Sequence, residues 1–265
     1  MSITAMWAWD NPVPASQDAR GRGYAPAAPD ELVAFTRAHD LTRVMLSAPW
    51  AADEGPVGQW FTAALRALDG AGVSAAALGG DPGWLTAPRL AVQWSRAARA
   101  AGATQIQLDV EPWALPAWQS DRDGAIRRWL AVLDAVRADA PECPVGIDCP
   151  WWLASEPWGH GTVLDAALER ADRIVVVAFS DHAAGPDGIV ALATPAARRS
   201  TVPFTIGVET DTPEVAGGAR FTFYDEGPVV LEREAALVDA AFADTAGYEG
   251  VAVEHHRAWR ALLEP

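Results

Sequence analysis

The sequence predicts an α/β protein folded as a single (β/α)8 (TIM) barrel, on three observations. Short runs rich in Val, Ile, Trp and Phe alternate with longer amphipathic segments, and the starts of those runs lie roughly 30 to 45 residues apart, the repeat of a strand plus a crossover helix. The runs are continuous in apolar character rather than alternating, as strands of a buried parallel sheet must be. The chain has 265 residues, close to the length of one such barrel, and no linker divides it, so residues 1–265 are expected to form one domain.

The eight runs are Ile3–Trp9, Arg43–Ser47, Val73–Leu78, Gln105–Val110, Val145–Ile147, Arg173–Phe179, Phe204–Val208 and Gly250–Glu254. Between them, Asp30–His39 follows a proline and opens with acids, which suits a helix amino terminus. Val57–Leu68 carries Trp60, Phe61, Ala64, Leu65 and Leu68 on one stripe. Pro88–Ala101, Asp121–Ala138, Thr162–Arg170, Gly188–Arg199, Pro228–Thr245 and His256–Leu263 complete the set. A doubly wound open sheet is the rival architecture, but it favours a glycine-rich loop after its first strand, and Trp7-Ala8-Trp9-Asp10 is not one.

Composition removes several function classes. A formal charge of −15 repels polyphosphate, so no nucleic-acid partner is expected. No apolar stretch is long enough for a membrane span, and the first residues do not read as a secretory leader, which points to a cytoplasmic protein, with the mature form of a secreted one as the alternative, and to no membrane partner. All 20 basic residues are arginine, so the lysine amine of Schiff-base and pyridoxal-phosphate chemistry is absent. Cys143 and Cys149 flank the fifth run, and six extended residues span roughly 20 Å. A disulfide tolerates about 7 Å between Cα atoms, so two free thiols are expected.

In such a barrel the residues just past each strand converge on one mouth. Those positions hold Trp9 and Asp10, Pro49 and Trp50, Asp81, Asp109 and Glu111, Asp148, Trp151 and Trp152, Ser180, Asp181 and His182, Glu209 and Asp211, then Glu254, His255 and His256. Carboxylates supply general acids, bases and nucleophiles, and indole faces stack on sugar rings. Tryptophan is abundant, at 13 residues, and Trp7, Trp9, Trp50, Trp84, Trp113, Trp118, Trp151, Trp152 and Trp158 are all expected in or near the mouth. His255 and His256 are adjacent on an extended segment, so at most one faces it. The sharpest signal is Gln105-Ile106-Gln107-Leu108-Asp109-Val110-Glu111-Pro112-Trp113. Two carboxylates two apart on a strand share a side, and each resists ionisation of the other, which keeps one protonated for acid catalysis. An acid pair that binds arginine or caps a loop is the structural alternative.

Asp109-Val110-Glu111-Pro112 resembles the end of the chitinase-type signature D-x-x-D-x-D-x-E of barrel-fold glycoside hydrolases, with Thr104 and Gln107 at the two earlier aspartates. Val110-Glu111-Pro112 also resembles the Asn-Glu-Pro of the large retaining-glycosidase clan, with Val in place of Asn. The first resemblance implies attack by a substrate acetamido group, with Asp109 positioning it and Glu111 donating the proton. The second implies Glu111 as acid/base and Glu209, which ends the seventh strand, as nucleophile. The expected assignment is Glu111, Glu209 and Asp109 as catalytic residues, with Trp9, Asp10, Trp113, Asp148, Trp151, Trp152, Asp181 and His255 binding a carbohydrate or sugar-containing small molecule. Neither a cofactor nor a metal is required. Two rivals remain: a Mg²⁺ or Mn²⁺ enzyme using Asp81, Glu111, Asp148 and Asp181, and a sugar-binding barrel without turnover.

Overall fold

Eight parallel strands close on themselves in the computed structural model, which describes residues 2–9 and 26–264. They are β1 (Ile3–Ala8), β2 (Arg43–Ser47), β3 (Ser74–Gly79), β4 (Ile106–Leu108), β5 (Val145–Pro150), β6 (Arg173–Val177), β7 (Phe204–Glu209) and β8 (Tyr248–Glu254). Each pairs with its neighbours in sequence, and β8 pairs with β1. The main helices between and after them are α1 (Pro29–Ala38), α2 (Gly55–Gly70), α3 (Pro88–Ala100), α4 (Arg122–Asp139), α5 (Val163–Leu168), α6 (Ile189–Arg199), α7 (Pro228–Phe242) and α8 (His256–Leu263), with single turns at Ala117–Ser120 and Pro213–Ala216. This is the (β/α)8 barrel that the spacing predicts. A short antiparallel ribbon, Pro157–Trp158 with Gly161–Thr162, was not read from the sequence.

Two apolar cores result from strands buried on both faces. The larger lies between strands and helices and takes in Phe61, Trp84, Trp94, Trp129, Phe204 and Trp259. The smaller fills the barrel: Ala5, Trp7, Met45, Leu78, Val175 and Ala252, with Trp9 and Val177 packed on it. Several tryptophans expected at the mouth belong to these cores instead. Trp84 packs on Trp94 with ring centroids 5.0 Å apart, Trp118 is buried against Trp113 and Trp152, and Trp7 points into the barrel. A mouth position and an interior position can be neighbours in sequence, and the alternation of a strand decides between them.

Three glycines set the interior shape. A Cβ on Gly207 would meet the Trp7 ring at 2.8 Å, and one on Gly146 would meet Gln107 Oε1 at 2.1 Å. At Gly80 it would meet the backbone oxygen of Asp109 at 1.9 Å. The missing side chains let Trp7 and Gln107 cross the barrel and let the segment after β3 close on the end of β4. Cys143 and Cys149 are both free.

Candidate functional site

Regular pairing in β4 stops at Leu108, but the Asp109 amide still donates to the Gly79 carbonyl at 2.9 Å, which carries the ladder one residue further. Asp109 therefore keeps the inward side of Gln107, while Glu111 sits past the strand, at the rim, as the chain turns into the short helix Pro112–Ala114. The Gln107 amide donates to Asp148 Oδ1 at 2.8 Å, and the Trp7 indole donates to Asp148 Oδ2 at 3.1 Å. Asp148 is thus held from β1 and β4 at once, with both oxygens engaged. It is a buried interior group, 3% exposed, rather than an open sugar contact.

Across the mouth, Glu209 and Glu254 are register partners on adjacent parallel strands. Glu209 is buried, and its Oε1 accepts the Thr210 and Asp211 amides at 2.8 and 2.7 Å, two donors that favour the ionised form. Glu254 is enclosed by protein, and burial raises its pKa well above the usual range; the charges of Glu209, Asp109, Asp148 and Glu111 raise it further. Five carboxyl groups therefore share one funnel. Glu254, absent from the expected set of site residues, stands among them because β8 closes beside β7.

The five differ in exposure and in proton affinity. Asp109 is raised well above the usual carboxyl range by burial, then by the charges of Asp148 and Glu111. Burial also lifts Asp148, to about 7, against the opposing effect of its two hydrogen bonds. Glu111 is the most open of the five to solvent, yet protein walls surround it, and this loss of hydration raises its pKa. The Trp113 indole donates to Glu111 Oε1 at 3.2 Å and pulls the pKa back down. In a concave funnel a carboxyl can be reachable by water and still be poorly solvated.

These shifts carry a stability prediction. Asp148 has a folded pKa of about 7 against roughly 3.9 in an unfolded chain, so the folded state alone holds this proton between those values. The unfolded state then binds fewer protons, and the stability contributed by Asp148 falls as pH rises from about 4 through 7. Asp148→Asn is expected to flatten the decline in melting temperature across that window. Asp109 and Glu254 act in the same direction, so the slope is reduced rather than abolished. An unchanged slope in thermal melts from pH 4 to 8 would contradict the placement of a shared proton on Asp148.

The remaining expected residues are distributed unevenly. Trp113 forms an aromatic cluster with Trp118, Trp129 and Trp152, at centroid distances of 6.2, 5.6 and 5.8 Å, so Trp113 and Trp152 brace the wall beside Glu111. Trp151 and Trp9 are half-buried, Trp9 above the inner core. Asp181 lies 2.5 Å from His182 Nδ1, which also approaches Ser180 Oγ at 3.3 Å. His255 is buried, with Nε2 3.0 Å from Asp211 Oδ2, while His256 packs edge-on against Phe35. Asp10 lies outside the described residues. The four acids of the metal reading do not converge: Asp81 caps a turn through the Gly83 amide at 2.6 Å, and Asp181 is engaged with His182. Among the described residues no three His, Cys, Asp or Glu side chains are arranged as metal ligands.

No protein-family model and no curated protein matches this sequence. Solved structures do. A class V chitinase from Pseudomonas fluorescens Pf-5 is similar with a TM-score of 0.56 at 15% identity, over 99% of this chain and 98% of that one. A GH18 chitinase from Cycas revoluta, solved with (GlcNAc)3, gives 0.50 at 12% identity over 79% and 69%. A DHDPS from Cyanidioschyzon merolae, solved with lysine bound, also gives 0.50 at 12% identity, over 90% and 76%. Chitinases and a DHDPS thus share this barrel, and the likeness is one of fold; function has to be argued from the site.

Proposed function

We propose that the protein is an enzyme that hydrolyses a glycosidic bond, with Glu111 as the general acid. The observation that carries this reading is the state of Glu111: it is the most solvent-open carboxyl of the funnel, and its surroundings favour the protonated form. An acid that must hold a proton near neutral pH and still meet a substrate needs both properties. The absence of lysine closes Schiff-base chemistry to this chain, whatever other barrels do.

In the proposed reaction Glu111 protonates the leaving oxygen as the glycosidic C–O bond breaks. Glu209, whose negative charge is favoured by two backbone amides, attacks or stabilises the anomeric carbon. Water then adds to that carbon, and its proton returns to Glu111. Asp109, enclosed below and held in its protonated form by burial and by the charges of Asp148 and Glu111, stands beside the acid as a neutral group. The chitinase-like variant replaces Glu209 by the substrate's acetamido group, with Asp109 positioning it. Trp9, Trp113, Trp151 and Trp152 would line the subsites, and Trp50, 51% exposed, offers an indole face farther out.

Hydrolysis of a panel of nitrophenyl glycosides, N-acetyl sugars included, tests the proposal in wild type, Glu111→Gln and Glu209→Gln with and without EDTA. Turnover that survives EDTA and disappears in Glu111→Gln supports it. Activity lost to EDTA favours a metal enzyme, and saturable glycan binding without turnover favours a binding barrel. A pH profile adds a sharper check. Trp113→Phe removes a hydrogen bond that lowers the Glu111 pKa, so the acid stays protonated to higher pH. The alkaline limb of kcat is expected to move upward; a stationary limb would argue that Glu111 is not the acid.

A further inference from the structure

The opposite end of the barrel holds a cavity of about 320 Å³ that the proposed reaction does not use, lined by Thr4, Thr42, Arg43, Ser74, Arg173 and Glu249. Arg43 and Arg173 open β2 and β6 on the inward side, below Met45 and Val175. Arg173 is neutralised by an ion pair with Glu249. Arg43 is not: among the described residues no carboxylate lies within ion-pair distance of it, although it is 93% buried, with a relative exposure of 7%. Its guanidinium has five N–H donors. Gln105 Oε1 accepts one of them at 2.6 Å, and among the described residues Nε has no acceptor.

A buried cation without a counter-charge is costly, and one facing a second cation more so. Burial, and after it the charge of Arg173, lower the Arg43 pKa to about 10, against the more distant charge of Asp148, which raises it. Ser74 Oγ accepts from Gln105 Nε2 at 2.9 Å, which leaves its own proton to donate. Among the described residues that line the cavity, two arginines and one glutamate leave a single positive charge in excess. We propose that this cavity binds one small, singly charged oxyanion, gripped by the Arg43 guanidinium and the Ser74 hydroxyl. A planar guanidinium fork matches a carboxylate or phosphate group equally well, so the shared chemistry is the oxyanion itself. The volume, at the lower end for ligand sites, restricts it to a small molecule.

The test follows the arginine Nε–H signals of ¹⁵N-labelled protein at pH 6 during separate titrations with sodium phosphate, sodium acetate and sodium chloride at fixed ionic strength. The Arg43 signal is the one missing from Arg43→Met. A saturable shift of that signal, half complete at on the order of 1 mM, is expected with phosphate, acetate or both. Phosphate alone would identify an inorganic or phosphoryl ligand, and acetate a carboxylate. At ten times the midpoint the melting temperature should rise by about 3 °C in wild type and not in Arg43→Met. Should Arg43→Met fail to fold, Ser74→Ala serves in its place, with the midpoint expected to weaken several-fold. Shifts that never saturate, or that chloride reproduces, overturn the proposal and leave Arg43 a structural residue.

Discussion

Glu111→Gln is expected to reduce kcat on a hydrolysed glycoside by about 10²- to 10⁴-fold, the usual contribution of a positioned general acid. That loss corresponds to roughly 3–5 kcal/mol of transition-state stabilisation, with KM changed little because glutamine keeps the shape and the polar contacts. Stability should move the other way. The Glu111 pKa is raised in the folded state, so its charge opposes folding once the pH exceeds the unfolded value near 4.3. Removing the charge from a funnel of five carboxyl groups is therefore expected to leave the melting temperature at pH 7 unchanged or slightly higher. A stabilised, inactive variant is the signature of a group placed for chemistry. Glu209→Gln divides the two mechanisms: a nucleophile shows a collapse in kcat, whereas a binding residue shows a rise in KM. An active Glu111→Gln enzyme would end the glycosidase assignment.

Trp7→Ala is expected to destabilise the barrel by about 3–5 kcal/mol, the range for truncating a fully buried large aromatic side chain. For a chain of this length that is a fall of roughly 10 °C in melting temperature. Trp7 fills the barrel interior, its ring against the space that Gly207 leaves, and its indole N–H is one of two donors to Asp148. Truncation opens a cavity between β1 and β7 and leaves Asp148 Oδ2 without its donor. Trp7→Phe separates these effects, because it retains most of the volume and loses only the hydrogen bond. It is expected to cost about 1–2 kcal/mol and to raise the Asp148 pKa above 7, since the indole bond is among the contacts that lower it. Thermal melts at two pH values on each side of 7 read both quantities. Equal losses in the two variants would show that the indole nitrogen, not the ring, matters.

The eight strands were readable because a buried parallel strand is continuously apolar and because crossover helices impose a fixed spacing. Their limits were less so. Asp109 and Glu111 both read as strand-end residues, yet only Asp109 continues the ladder, since the turn after Val110 carries Glu111 out to the rim. Trp84 and Trp118 read as mouth residues because they follow strands closely, and they proved to be packing between strands and helices. Their sequence neighbours gave no sign of which wall they would meet. Glu254 was legible as a strand-end acid, but its membership of the funnel depends on the pairing of β8 with β7, which places it opposite Glu209.

The barrel, its carboxylate-rich mouth and the absence of lysine could all be read from the chain as a string of residues. Periodicity and composition are local properties, and each of those features is local. Only the folded barrel shows that Trp7, Gln107 and Asp148 interlock across the interior, that Gly146 and Gly207 make room for them, and that Arg43 lies buried beside Arg173. Each depends on which residues of distant strands come level with one another. That alignment is fixed by closure of the sheet, and no single strand carries it.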